Sequence, residues 1–395
     1  MINVGRRAAG SLCALVLPLL LLCGCSAMLN RAYRESAPHL EPNYTADTSG
    51  QEVTSYNMLV QVVKRWVRGG LSGGLLRFTS YDSNAGEDIV TAISEVMYND
   101  PYGYYVGAYI LYESASDSKG PAINLSIKYM RDRPQSETDT LTEAGGREVL
   151  RRKLREAMHS YAPYLAVEMP FYEESFDPDG LIAQLYTQEP LYALGFPAYD
   201  ITFYKADKSQ SRILEFRFAY EYSAAVLTRL QQYVEQIFRE FCDGLTLTES
   251  DAGNALTLHD ALCELLSYDH DTAAYDALRG SGRGRPYNIA SFADKKAVGE
   301  GYALAYKALC DNAGITAEVV YGERASEGHA WNIVSIDGRW YHVDAAMNDY
   351  GEETAHEYFL SADETMRAAL YRWDSTKYPP CEADYPAGEE APPGE

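Results

Sequence analysis

Apolar and polar positions recur along this chain with two periods, and the switches between them mark its elements. The clearest case is a strand expected over 213–220. Leu214, Phe216, Phe218 and Tyr220 share one face there, while Glu215 and Arg217 point the other way. That alternation is what a half-buried strand requires. Upstream, the same order of elements is read twice. The first round is a helix over 56–68, a strand over 76–81, a helix over 87–98 and strands over 105–112 and 123–129. The second is a helix over 147–160, a strand over 165–172, a helix over 181–187 and strands over 198–204 and 213–220. Each round turns at an acid-proline corner, Asp100-Pro101 and Glu189-Pro190. The corners and the paired tyrosines Tyr81 and Tyr172 repeat at a nearly constant offset, so residues 51–245 are expected to form a duplicated α+β domain. A helix over 224–243 leads out of it. No cluster in this half has the spacing of a metal site, a phosphate loop or a nucleophile elbow, so binding or spacing is its default role.

The ends break these periods. Arg6 and Arg7 precede an apolar run over 12–22 that is too short for a stable membrane-spanning helix. The run closes on Leu22-Cys23-Gly24-Cys25, which resembles the lipobox of bacterial lipoproteins. The resemblance implies that residues 1–24 are a signal peptide and that Cys25 becomes the lipidated first residue. It also implies a membrane partner through that anchor, and an extracytoplasmic place in the bacterial cell envelope. A plain cleaved signal is the alternative. Residues 25–50, with Pro38, Pro42 and Gly50, read as a linker. Residues 382–395, with Pro386, Pro392 and Pro393, read as a disordered acidic tail.

Composition then narrows the partners. At 46% apolar the chain is built to fold. With 34 basic and 57 acidic side chains it carries a net charge of −23, which argues against nucleic acid and against docking on anionic lipid. Loss of the signal removes Arg6 and Arg7 and no acid, so the mature chain is two charges more negative. Tyrosines outnumber phenylalanines 33 to 11, and many rings are expected half exposed with the hydroxyl in water. Of seven cysteines, Cys13 and Cys23 leave with the signal and Cys25 is the anchor. Cys242, Cys263, Cys310 and Cys381 remain, an even number that permits full pairing in an exported protein.

Candidate chemistry lies in the C-terminal part, 246–381. Asp337-Gly338 is a two-residue hairpin signal between β-prone runs. If it turns, Ile336 pairs with Arg339 and Ile333 with His342. His329, Trp331, Ile333 and Ser335 then share a face with Trp340, His342 and Asp344. His329 and Asp344 become diagonal neighbours, about 7–8 Å apart at the backbone. An imidazole against a carboxylate has a fixed tautomer and raised basicity, as in a catalytic triad. A metal site of His329, His342 and Asp344 ranks below this, because the spacing matches no short metal motif. No metal and no cofactor is therefore expected.

A base and its orienting acid call for a nucleophile. The segment Lys295-Lys296-Ala297-Val298-Gly299-Glu300-Gly301-Tyr302-Ala303 resembles the nucleophile segment of the transglutaminase-like superfamily. Gly328-His329-Ala330-Trp331-Asn332 and Trp340-Tyr341-His342-Val343-Asp344 continue the resemblance. So do the lead-in His259-Asp260-Ala261-Leu262 and the closing Tyr378-Pro379-Pro380-Cys381. The resemblance implies an α+β, papain-like core, with a helix packed on an antiparallel sheet, and catalytic roles for His329 and Asp344. It departs at two places. The family's cysteine is replaced by Gly299, a degenerate nucleophile position, and Ala345-Ala346-Met347 follows the aspartate where Thr-Trp is usual. Cys310 lies about 16 Å further along the helix, too far to substitute.

Three functions follow from this reading. The first is an inactive domain whose cleft, between helix 299–311 and the hairpin, binds a peptide, protein or cell-wall polymer. Trp331, Trp340 and Tyr302 are its candidate ligand-binding rings. The second is a hydrolase or acyl-transfer enzyme in which His329 and Asp344 activate water. The third is a structural protein that interacts through the duplicated domain.

Overall fold

A parallel strand pair opens the fold. β1 (Asp47–Val53) runs beside β2 (Gly73–Phe78), and α1 (Tyr56–Arg68) connects them. Ser55 caps α1 by accepting from the Met58 amide, and Leu59, Val62, Val63 and Trp66 form its buried stripe. α2 (Ala85–Tyr98) and α3 (Pro101–Val106) follow, then β3 (Ala108–Asp117) and β4 (Gly120–Tyr129). The sheet order is β1-β2-β4-β3. A second set comprises β5 (Thr142–Glu143), α4 (Arg147–His159), β6 (Tyr164–Met169), α5 (Pro178–Gln188), β7 (Ala198–Lys205) and β8 (Arg212–Ala219). Its order is β5-β6-β8-β7, and β5 again runs parallel to β6. The two sheets therefore share strand order and pairing sense. The structure is a computed structural model that describes residues 46–81, 83–117, 120–129, 141–192, 194, 196–205, 209–279, 284–349 and 354–386.

α6 (Ala224–Asp243) and α7 (Asp251–Leu265) lead to the C-terminal part. There β9 (Ser267–Tyr268), α8 (His270–Arg279), α9 (Ser291–Asp294) and β10 (Lys296–Ala297) precede α10 (Gly299–Asn312). β11 (Ala317–Arg324), β12 (Glu327–Ile336), β13 (Arg339–Val343), α11 (Ala345–Asn348), β14 (Phe359–Ser361), α12 (Asp363–Ala368) and β15 (Tyr371–Trp373) complete it. The five strands form an antiparallel sheet of order β14-β13-β12-β11-β15. The architecture is α+β, with a helix packed on an antiparallel sheet. The Asp337-Gly338 turn forms, both residues having positive φ, +50° and +78°, as a type I′ hairpin demands. Ile336 pairs with Arg339 and Ile333 with His342, the register expected from the turn.

α10 is buried almost all round. One side lies on the sheet, where Tyr302, Ala305, Tyr306 and Leu309 meet Val334, Ile336, Tyr341 and Val343. Another side belongs to a different cluster. Ala303 and Leu304, with Val319 and Ala330, pack against Leu150, Leu154, Leu181 and Phe216 of the second α+β set. The boundary expected at 245/246 thus does not separate two cores, and residues 47–395 fall in one compact unit. The far face of the sheet, with Val320, Trp331 and Ile333, is covered by Tyr358, Met366, Tyr371 and Cys381.

Several expectations are corrected. Residues 47–50, assigned to the linker, belong to β1, which pairs with β2 at Asp47 and, after an irregularity, again from Gln51. The strand expected from 105 starts at 108, because Asp100 caps α3 and Pro101 begins it. The tail expected from 382 is still folded through 386. Asp384 accepts from the Ala362 amide and the Thr365 hydroxyl, and the Tyr385 amide donates to Leu360. Cys242, Cys263, Cys310 and Cys381 are all free thiols, so full pairing is not seen. Burial pushes Cys242 up to about 11 and Cys381 up to about 12. The signal, Cys25, most of the linker and residues 387–395 lie outside the described residues. Among the described residues no helix is long and apolar enough to cross a membrane.

The shared core makes a prediction. Leu304→Ala in the full chain should cost about 2–5 kcal/mol. Its urea midpoint should fall, with tyrosine fluorescence and far-UV circular dichroism following one transition. Two separated transitions would show that the α+β sets unfold independently of the C-terminal part.

Candidate functional site

The end of β13 and the start of β12 bring His329 and Asp344 together. His329 Nε2 lies 2.6 Å from Asp344 Oδ2. The diagonal relation on one hairpin face therefore closes into a hydrogen bond. Tyr371, on β15, donates its hydroxyl to the same Oδ2 at 2.7 Å. Asp344 Oδ1 accepts from the Met347 amide at 3.0 Å and so caps α11. The Ala345-Ala346-Met347 departure from the family pattern is thus the first turn of a short helix.

Asp344 is 1% exposed. Burial alone would raise its carboxyl, but the charge and hydrogen bond of His329, the Tyr371 hydroxyl and the Met347 amide hold it below the usual range. With Nε2–H donating to this carboxylate, the neutral imidazole keeps its lone pair on Nδ1. That nitrogen faces the first residue of α10. A Cβ built on Gly299 would come within 2.8 Å of both Nδ1 and Cε1 of His329, and 3.4 Å from the Ala330 carbonyl. A side chain at 299 would meet the basic nitrogen directly, and at present the ring fills its space. α10 starts at this residue without a side-chain cap.

The expected ligand-binding rings are placed differently. Trp331 is 1% exposed, with His329 stacked on it and Tyr371 and Trp373 edge-on. Tyr302 is equally buried, its hydroxyl donating to Asp349 and its ring stacked on Tyr268. Both are core residues, so neither offers a face to an extended ligand. Trp340 is half-buried and packs partly on the same cluster as Trp331. The expected cleft between α10 and the hairpin is filled by the core described above.

A metal site of His329, His342 and Asp344 does not assemble. His342 Nδ1 accepts from the Trp331 indole at 2.9 Å, and Nε2 donates to Asp363 at 2.9 Å. The indole is a donor only, so the network assigns the proton to Nε2. Burial lowers this imidazole's pKa and keeps it neutral. The same tautomer counts against an ion among His342, Asp363 and Cys381, which lie close together. A second group, His259, Asp260 and His356, is similar. Asn348 Nδ2 donates to His259 Nε2, which leaves Nδ1–H to donate to Asp260.

Sequence reasoning missed Tyr371. It lies 27 residues from Asp344 on a short edge strand and carries no local signal. Arg324 sits over its ring and over Tyr358, at 5.5 and 5.6 Å from their centroids, and fixes the wall behind the acid.

The model of the transglutaminase-like superfamily matches residues 239–345, a span that holds Gly299, His329 and Asp344. The chain carries a transglutaminase-like domain there. No curated protein matches the chain. Among solved structures, a transglutaminase is 15% identical over 64% of this chain and 68% of its own, with a TM-score of 0.28. A candidate cysteine protease from Cytophaga hutchinsonii is 14% identical over 38% of this chain and 62% of its own, at 0.22. A candidate protease from Parabacteroides distasonis is 11% identical over 46% and 39%, at 0.21. The chain thus spans less than two thirds of the latter two. At these scores the three likenesses carry no argument about activity.

The acid's environment sets a pH dependence. A carboxyl whose folded pKa is depressed stabilises the fold above its unfolded value and loses that contribution as pH falls through the folded one. Asp344→Asn should therefore destabilise the protein at pH 6, and the deficit should shrink below about pH 4. Equal deficits at pH 6 and pH 3, read from urea midpoints, would contradict the network. Tyr371→Phe should cost about 1–3 kcal/mol, the range for removing one hydrogen bond to a buried charge.

Proposed function

We propose that the transglutaminase-like domain at 239–345 belongs to a cell-envelope lipoprotein and is catalytically inactive, binding a peptide, protein or wall polymer at the first turn of α10. One observation carries the reading. The position that faces Nδ1 of His329 is Gly299, which has no side chain, and the imidazole lies within 2.8 Å of where a Cβ would be. Covalent acyl transfer needs a thiolate at that point. Cys263 donates to the Ala345 carbonyl, and Cys310 is completely buried on α10. Burial raises both thiols far above the ordinary range, so neither supplies a thiolate.

The lipoprotein part rests on the apolar run over 12–22 and the Cys25 lipobox. A strongly acidic chain on such an anchor is held at the membrane without lying on anionic headgroups.

A second reading has its own support. His329 is held at Nε2 by a buried acid and turns Nδ1 toward Gly299, the arrangement needed to activate water. General-base assistance alone contributes about 10²–10⁴-fold, so such an enzyme would be slow.

Restoring the thiol tests the first reading. Gly299→Cys should react with iodoacetamide faster than any native cysteine, because it would sit at a helix N-terminus beside a base. The ring at 2.8 Å must yield a few tenths of an ångström, which the far end of a side chain can do. The gain should vanish in Gly299→Cys/His329→Ala. Peptide hydrolysis by the unaltered protein, lost on His329→Ala, would overturn inactivity in favour of the second reading. For the anchor, incorporation of labelled palmitate should be lost in Cys25→Ser, and retention would show that Cys25 is not the acceptor.

A further inference from the structure

A cavity of about 430 Å³ opens beside the first turn of α10, away from His329. It lies between the end of β8, helix α6 and the turn at 284–288. Its volume falls in the small-molecule range. Tyr161, Tyr186, Phe196, Tyr220 and Tyr287 give it aromatic walls, and Glu300 is its carboxylate.

One group in this cavity is under-satisfied. Glu300 accepts a hydrogen bond from the Tyr321 hydroxyl at 2.9 Å, and burial holds its carboxyl above the usual range. Among the described residues no basic side chain forms an ion pair with it. The one arginine on the wall, Arg285, is held by both oxygens of Asp294 at 2.5 and 2.7 Å. Tyr220 contributes its ring to the wall, while its hydroxyl is buried out of reach of the cavity. A desolvated carboxylate gains most from an opposite charge, and the π-faces around it attract cations.

We propose that this cavity is a binding site for an organic cation of the quaternary ammonium class. The carboxylate of Glu300 supplies the counter-charge and the rings enclose the alkyl groups. A bare ammonium fits less well. It carries three N–H donors, whereas the wall around Glu300 is mainly aromatic. An anion would meet Glu300, and the exposed Glu221 at the rim, with like charge. A neutral sugar ring would leave Glu300 uncompensated. The acidic chain as a whole draws cations toward the opening. This site is independent of Gly299 and His329, so it stands whether or not the neighbouring domain is inactive.

Choline and 3,3-dimethylbutan-1-ol, which share a shape and differ in charge, test the proposal on the full chain by isothermal titration calorimetry. Choline should bind saturably, and the neutral isostere at least about tenfold more weakly, a factor worth about 1.4 kcal/mol. Butylammonium should bind more weakly than choline. Glu300→Gln, which keeps side-chain shape, should lower choline affinity by about tenfold or more with its melting temperature little changed. Equal binding of the neutral isostere, unchanged binding in Glu300→Gln, or no saturation with choline would each overturn it.

Discussion

A buried negative charge organises the C-terminal part. Asp344 is taken out of water at the end of β13 and must be repaid by donors from several elements. One comes from β12, through His329; one from β15, through Tyr371; one from α11, through the Met347 amide. Two chain segments distant in sequence, and the turn that follows the acid, are fixed to one carboxylate. The order of the sheet follows, since β15 must lie beside β11 for Tyr371 to reach the acid. The ring of His329 is then oriented as well, and its second nitrogen is directed at the start of α10.

That helix explains why the two α+β sets are part of the same body. A helix with buried residues on all sides needs partners on all sides. The sheet covers one flank of α10, and the second α+β set covers Ala303 and Leu304. The first set joins through Ala166, Tyr204 and Ile213, which belong to its own core. Arg68 adds a two-pronged bond to Glu168 across the sets. The position of Gly299 is therefore defined by residues far outside the matched span.

The sequence was most informative where one local rule had one outcome. Asp337-Gly338 permits few turns, and the turn sets the register, which in turn puts His329 and Asp344 on a shared face. Alternation says which residues share a face but not what covers that face. Trp331 and Tyr302 read from the sequence as candidate ligand-binding rings, whereas Tyr371, Trp373 and Tyr268 close over them. Tyr371 has no local signal because its partnership is purely tertiary. Asp47 to Val53 has no apolar alternation, and pairing with β2 makes it a strand. The composition of 382–395 reads as a tail, yet Asp384 and Tyr385 find specific partners.

The imidazole lodged against Gly299 ties the start of α10 mechanically to the buried acid. A Cβ at 299 would press on the ring, and the ring is held through Nε2 by Asp344. A substitution at 299 is therefore felt at Asp344, and through it at Tyr371 and at the first turn of α11. The smallest residue in the chain stands where the network has least slack.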